Sequence, residues 1–166
     1  MKLDRLDARL LRLLTDHPQL PAAECARRLN VARATVASRL ERLHAQGVVE
    51  GIVPKIRHEG FDYRVVAFCS VEIHQGLGHE AVAESLAASV PEILDMYTVT
   101  GGADLQLRVA APGPSELQGV FDRISQVPGI MRTSSSIALR THFQDRVLPL
   151  VEHAADDSAG RAPRVE

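Results

Sequence analysis

The stretch from Asn30 to Gly47, NVARATVASRLERLHAQG, places three arginines within ten positions, at 33, 39 and 42. Guanidinium groups bind phosphate oxygens and base edges, so arginines gathered on one helix can hold a nucleic acid. Glu41 is the only acid in the stretch, whereas a helix face that serves only solubility usually mixes acids with bases. The pattern indicates a helix that binds a polyanion, and a helical bundle with a merely solvated face is the alternative.

The stretch is predicted to be helical over about residues 33–46 and to end at Gly47. At about 100° per residue, Val36, Leu40 and Leu43 share one sector, which must be the buried side. The predicted outward face is small, polar and cationic: Ala34, Thr35, Ser38 and Arg42, with Arg39 at its edge.

Two shorter helices are predicted to position this one. Leucines at 3, 6, 10, 13 and 14 form an apolar stripe over about residues 3–15. A second helix starts at Pro21 and ends at Asn30, which tolerates the left-handed backbone of a helix end. Three helices with a tight turn before the last are typical of a helix-turn-helix, whose final helix enters the major groove. The arginines are therefore predicted to contact DNA, although an ion pair with Glu41 or with an acid of the first helix competes for Arg39 and Arg42.

The segment VVEGIVPKIRHEG, residues 48–60, follows the third helix. It is interpreted as a short β-hairpin or wing. Its cations, Lys55 and Arg57, are candidate phosphate contacts.

From Tyr63 the hydrophobic period changes from 3.6 to 2. The segments alternate as strand, helix, strand, strand, helix and strand, which is the ferredoxin-like split βαβ pattern. The fold class is therefore α+β, with a winged helix-turn-helix over residues 1–60 and a βαββαβ domain over 61–151. An antiparallel sheet with both helices on one face leaves its other face uncovered, so we expect dimerisation. Residues 152–166 lack periodic apolar residues and are expected to be a mobile tail.

Two polar features stand out in the second domain. Gly101 and Gly102 lie in the turn between the second and third strands, next to Asp104, which could hold an amino group or simply cap the turn. Hydroxyl side chains fill the last strand from Thr133 to Ser136, where Ile or Val would be ordinary. Their partners are another subunit, water or a bound small molecule.

Composition and charge restrict the classes of protein to which the chain can belong. The chain is 45% hydrophobic and 24% charged, with a net charge of −2, as in a folded soluble protein. Residues 1–60 carry a net +4 and residues 61–150 a net −4, a division that suits one domain facing a polyanion. The charged N-terminus excludes a membrane span there, and we expect a cytoplasmic protein. Cys25 and Cys69 are expected to be reduced, buried thiols, and neither a metal site, a cofactor site nor a catalytic motif is predicted.

Four motifs together resemble the Lrp/AsnC family, also called feast/famine regulatory proteins. They are LDxxDxxLLxxL at residues 3–14, RLERL at 39–43 followed by QGVVEG, the turn at 101–104, and VPGI at 127–130. Each motif is weak alone, but their order and spacing are specific.

The resemblance implies a transcription regulator that binds double-stranded, palindromic DNA and senses a small molecule, often an amino acid. It implies a homodimer that associates further, frequently into an octamer of four dimers, with the effector bound between dimers. The implied DNA-reading positions are Arg33, Ala34, Thr35, Ser38, Arg39 and Arg42. The implied effector positions are Gly101, Gly102 and Asp104, with Thr133 and Ser135 contributed by a neighbouring subunit.

The chain departs from the family pattern at two places. Ala32 stands where the family often has a serine N-cap, which forfeits about 1 kcal/mol of helix capping. The family's sensor turn commonly reads Gly-Asp-aromatic-Asp, whereas this turn reads Gly-Gly-Ala-Asp. Two other classes share parts of the pattern: a DNA-compacting protein with little sequence preference, and an amino-acid-binding regulatory subunit of an enzyme.

Overall fold

The computed structural model describes residues 2–74, 76 and 78–160. This part of the chain forms two compact units, one built from residues up to Pro54 together with residues 143–160, the other from Lys55–His142. The expected boundary after residue 60 and the assignment of residues 143–151 to the second domain therefore differ from the structure. Among the described residues, none of the helices has the length and the apolar character that a membrane span requires.

The first unit begins with the three expected helices: α1 (Arg5–Asp16), α2 (Ala22–Leu29) and α3 (Arg33–Ala45). Asp4 caps α1, and the reciprocal bonds between Asp4 and Asp7 complete a capping box. Asn30 ends α2 in the left-handed conformation, with φ 56°, as predicted. The core of the unit consists of the apolar sides of these helices: Leu10, Cys25, Ala26, Leu29, Val36 and Leu43.

The predicted wing is absent from this structure, because residues 48–57 form no strand. Gly51 and Pro54 break the run, and proline has no backbone N–H to donate to a hairpin ladder. The segment instead leads into a 3₁₀ turn, His58–Phe61.

The second unit has the predicted order: β1 (Val65–Ile73), α4 (His79–Ser89), β2 (Ile93–Thr98), β3 (Leu105–Ala111), α5 (Pro114–Ser125) and β4 (Ile130–Ile137). All pairings are antiparallel and the strand order is β2-β3-β1-β4. The inward residues of β1 and β3 pack with Val82 and Leu86 of α4 and with Leu117, Val120 and Ile124 of α5. The ferredoxin-like prediction is confirmed.

The C-terminus differs from the expected mobile tail. Residues Leu148–Gly160 form a helix, α6, which belongs to the same unit as α1. Ala155 is 1% exposed, Asp156 accepts from Arg5 at 3.2 Å, and Glu152 accepts from Arg12. Leu148, Val151 and Ala155 recur at spacings of three and four, which is the helical signal in this segment. Residues 161–166, the rest of the predicted tail, lie outside the described part of the chain.

Ala155→Glu is expected to release α6 from α1, because Ala155 is fully buried and the much larger glutamate side chain does not fit at this position unless α6 moves away. Trypsin should then cleave after Arg5, Arg9 or Arg12 faster than in the unsubstituted protein. The control is Ala154→Glu, at an exposed position one residue away, which should leave the cleavage rate unchanged. Equal rates in both variants would show that α6 does not protect α1.

Candidate nucleic-acid interface and sensor turn

The outward side of α3 is open. Ala34 and Ser38 are exposed and Thr35 is half-buried, while Val36 and Leu43 on the opposite side are buried. These outward residues line a shallow depression of about 550 Å³ together with Asp4, Arg39 and Arg42. Ala32 is the N-cap and makes no side-chain capping bond, so the first N–H groups of α3 are not capped by it.

Asp7 is a buried carboxylate behind this helix, and it binds two of the predicted DNA-contacting arginines. It is 0% exposed. Its Oδ1 accepts from Arg39 Nη1 at 2.6 Å and from Arg42 Nη2 at 2.6 Å, and Arg42 Nη2 also lies 2.7 Å from Oδ2. Asp4 accepts from Arg39 at 2.7 Å. The cluster ties α1 to α3 by charge-assisted hydrogen bonds.

Burial raises the pKa of Asp7, but hydrogen bonds from Arg42, from the Asp4 backbone N–H and from Arg39 outweigh it and hold the pKa below its usual 3.8. The carboxylate is therefore ionised at neutral pH. Its negative charge compensates part of the positive charge of the two arginines. Their electrostatic attraction for a phosphate is therefore weaker.

The alternative role of Arg39 and Arg42, an ion pair with an acid of the first helix, is thus present in the structure. The side chain of Arg39 is 23% exposed and that of Arg42 is 36% exposed, so Arg42 keeps more access to a ligand. Arg33 is exposed, and none of the described carboxylates lies within ion-pair distance of it. Among the three arginines of α3 that are predicted to contact DNA, Arg33 is therefore the one whose charge no described carboxylate compensates.

Lys55 and Arg57, the predicted wing cations, are exposed residues of the second unit. Arg57 lies 3.6 Å from Glu59. Contact of either residue with DNA stays a prediction.

The predicted sensor turn joins β2 to β3. Gly101 has φ +117°, a conformation that favours glycine for backbone reasons alone. The Val99 N–H donates to the Asp104 carbonyl at 3.0 Å, which closes the turn. The turn residues and the end of β1 line a depression of about 510 Å³: Glu72, Ile73, His74, Gly101, Gly102, Ala103, Asp104 and Met131.

The Asp104 carboxylate is engaged within the chain. Its Oδ2 accepts from the Ile73 N–H at 2.7 Å, and Oδ1 lies 3.3 Å from His79 Nε2. These two interactions hold the pKa of Asp104 below its usual 3.8. Asp104 therefore fastens the turn to β1 and α4, and it presents a negative charge at the depression.

Thr133 and Ser135 do not join the turn within one chain. They pair with Val71 and Cys69 of β1 and so lie on the helix-covered side of the sheet. Ser134 points to the opposite face, where it lines a second depression of about 460 Å³ with Ser70, Gln106 and Gly102. Ser134 is missing from the predicted set because alternation alone does not reveal which side of an edge strand faces the turn.

Asp7 is also missing from the predicted set, although the sequence contains a signal for it. Residues 3, 7, 10 and 14 recur at spacings of four, three and four, so Asp7 occupies the apolar stripe of α1. A carboxylate in such a stripe needs a cationic partner. The partner can be identified only when the third helix is placed against the first.

Two models of known protein families match the chain. Residues 3–44 match the AsnC-type helix-turn-helix domain, and residues 66–148 match the Lrp/AsnC ligand binding domain. The HTH-type transcriptional regulator FL11 of Pyrococcus horikoshii is 30% identical over 148 residues, which cover 89% of this chain and 97% of the relative.

Solved structures show the same fold. An AsnC family transcriptional regulator from Agrobacterium tumefaciens has a TM-score of 0.79 at 23% identity, covering 89% of this chain and 97% of that one. A transcriptional regulator of Neisseria meningitidis, solved as a complex with L-Met, has a TM-score of 0.75 at 26% identity, again covering 89% and 97%. The chain belongs to the Lrp/AsnC family of DNA-binding transcription regulators.

Proposed function

We propose that this regulator docks the outward face of α3 into the major groove of a palindromic operator. The observation that carries the proposal is the open surface of Ala34, Thr35 and Ser38. Small side chains let the helix backbone approach base edges, and hydroxyls can donate to them or accept from them. Arg33 supplies a phosphate contact, and Arg42 supplies a second one while it stays bound to Asp7.

A palindrome requires two copies of α3, so the protein acts as a homodimer or a larger assembly such as an octamer. The sheet face opposite α4 and α5 supports this proposal, because two aromatic side chains are exposed on it: Phe68, which pairs with Ser136, and Tyr97, which pairs with Gln106. Aromatic side chains on an uncovered sheet face are typical of an interface. The assembly works in the cytoplasm, at the DNA.

The proposed effector is an amino acid bound at the 101–104 turn between dimers. The Neisseria relative was solved with L-Met, which makes L-Met the first compound to test. Asp104 supplies a carboxylate for the α-ammonium group, while Thr133 and Ser135 of another subunit supply hydroxyls. Because Gly102 and Ala103 replace an acid and a ring of the family pattern, side-chain selectivity has to come from other residues. Binding between dimers favours one assembly and thereby selects which operators are bridged.

The experiment is a titration of a palindromic duplex, enriched from a random pool by the protein itself, against a scrambled duplex of the same composition. It is run with and without L-Met and other amino acids, while light scattering follows the mass. Preference for the enriched duplex and a mass change with one amino acid are the expected results. Equal affinity for both duplexes would identify a compaction protein, and no duplex binding would favour the regulatory subunit of an enzyme.

Arg33→Ala is expected to weaken binding to every duplex and to lower the slope of log K against log salt by about one unit, because one phosphate contact is lost. Arg39→Ala is the matched comparison, since Arg39 is already engaged by Asp4 and Asp7. It should change the slope less than Arg33→Ala does. A salt slope unchanged by Arg33→Ala would remove Arg33 from the interface.

A further inference from the structure

A second cationic surface lies on α1, on the side that faces away from α3. Arg5, Arg9 and Arg12 recur at spacings of four and three, so they share one side of the helix, and all three are exposed. At about 100° per residue, each of them lies roughly 140° to 160° around the helix from Asp7, the residue that binds α3. These three residues, the arginine stripe, are therefore separate from the outward face of α3.

The acidic helix α6 lies over the arginine stripe. It carries three carboxylates and contains neither lysine nor arginine. Arg5 Nε donates to Asp156 Oδ1 at 3.2 Å. Arg12 donates to Glu152. The outer two arginines of the stripe are thus bound by an anionic helix of the same chain.

Arg9, the middle residue of the stripe, borders a depression between the two helices. No described carboxylate lies within ion-pair distance of Arg9. The depression has a volume of about 280 Å³, and the apolar residues that line it, Ala8 and Ala155, are both buried. Exposed aromatic or aliphatic anchors, which protein interfaces use, are missing from its described lining. The surface offers guanidinium groups and little apolar area, which suits a polyanion better than a folded protein partner.

The contacts that hold α6 over the stripe are ones that a polyanion can replace. The side chains of Arg5 and Asp156 are 75% and 66% exposed. Those of Arg12 and Glu152 are 53% and 39% exposed. Ion pairs as exposed as these contribute little to stability and are screened by salt. Among the described side chains of α6, Ala155 alone is fully buried, so the release of α6 disrupts little buried surface.

We propose that the arginine stripe binds the phosphate backbone of a second DNA duplex and that α6 is its releasable cover. The three arginines span about 10 Å along α1. Each DNA strand carries a phosphate about every 3.4 Å of helix axis, so one strand supplies a phosphate for each arginine. The phosphates replace the two carboxylates of α6. Because the stripe and the outward face of α3 lie on different sides, one DNA-binding unit can then hold two duplexes.

The test isolates the stripe in the full chain with Ser38→Glu, which places a carboxylate on the outward face of α3. Fluorescence anisotropy follows the binding of a scrambled duplex over a range of salt concentrations. Adding Ala155→Glu, which displaces α6, should tighten binding by about tenfold and steepen the slope of log K against log salt by about two units, because the arginines then meet phosphates without competition. Ala154→Glu adds the same charge at an exposed position and should not tighten binding.

Arg9→Gln identifies the surface that is responsible. Combined with Ala155→Glu, it should remove about one unit of the added salt slope. Arg140→Gln, at an exposed arginine of the second unit, is the matched control and should leave the gain intact. Since every variant carries Ser38→Glu, the result does not depend on groove docking by α3.

If Ala155→Glu does not fold, Glu152→Gln together with Asp156→Asn takes its place, because this pair removes acids of α6 without enlarging a side chain. It should also tighten binding of the scrambled duplex. Glu80→Gln together with Glu84→Gln, at two exposed acids of α4, is the control for net charge.

The proposal is overturned when neither the release of α6 nor the loss of its acids tightens duplex binding more than the controls do. It is overturned equally when Arg9→Gln leaves the gain unchanged. Displacement of the duplex by poly-L-glutamate at equal charge concentration would assign the stripe to an acidic protein instead of DNA and would also overturn it.

Discussion

Asp7→Asn is expected to lower the free energy of unfolding of the helix-turn-helix unit by about 2 to 4 kcal/mol, because a buried charge pair loses its carboxylate. Asparagine keeps one oxygen acceptor, and its NH₂ group would face either the guanidinium N–H groups of Arg39 and Arg42 or the N–H groups of Arg42 and the Asp4 backbone. The expected loss stays below the full cost of an isolated buried charge, since both arginines retain access to water. Hydrogen exchange of the α1 and α3 amides, or urea unfolding followed by signals of this unit, measures the change.

Asp16→Asn is the matched control, because Asp16 is an exposed acid at the end of the same helix. It should change the unfolding free energy by less than about 0.5 kcal/mol. A loss equal to that of Asp7→Asn would mean that the net charge of α1, rather than the cluster, determines stability.

The same substitution has a defined pH dependence. The pKa of Asp7 is lowered on folding from 3.8, so its contribution is complete above that value and disappears as pH falls through the lower folded pKa. The stability difference between the unsubstituted protein and Asp7→Asn should therefore be constant from pH 7 to about 5 and shrink below about pH 4. A difference that persisted undiminished in acid would contradict the ion-pair explanation.

Ser38→Glu is expected to reduce affinity for the enriched palindrome by about a hundredfold or more, because it brings a carboxylate into a groove lined by phosphates. Ser38 is exposed on α3, and glutamate is a good helix former, so the fold should be retained. Mobility-shift or anisotropy titrations measure the affinity.

Ala88→Glu adds the same charge at an exposed site of α4 in the other unit and is the control for net charge. It should weaken binding only slightly. Equal losses in the two variants would indicate a general electrostatic effect and remove Ser38 from the interface.

Helix and strand periodicity predict most of the fold of this chain. Val36, Leu43 and the alternating residues of β1 lie where their spacing places them, since each faces a continuous apolar surface. The prediction of a wing is wrong because Pro54 prevents the strand pairing that the apolar residues Ile52, Val53 and Ile56 suggest in sequence. The helix α6 is missed because its apolar side is small, consisting mainly of Val151 and Ala155.

The candidate sites are predicted less completely than the fold, for a physical reason. Sequence spacing identifies residues on one element, such as Ala34 and Ser38, but not the partner on another element. The bonds from Arg39 and Arg42 to Asp7 cross from α3 to α1, and the bond from Ile73 to Asp104 crosses from β1 to the turn. Such contacts depend on tertiary packing, so they become visible only with coordinates.

The most direct measurement of groove docking uses Ser38→Cys as a probe of the outward face of α3. The native thiols of Cys25 and Cys69 are buried, and burial raises the pKa of Cys25, and that of Cys69 to about 11, so both react slowly with iodoacetamide. The added thiol is therefore the reactive one, and its alkylation rate is compared with and without saturating enriched palindrome. The predicted result is a much slower alkylation of the thiol at position 38 when DNA is bound. The alkylation rate of Ala88→Cys should not change. Alkylation at the same rate in the bound complex would contradict docking of this face into DNA.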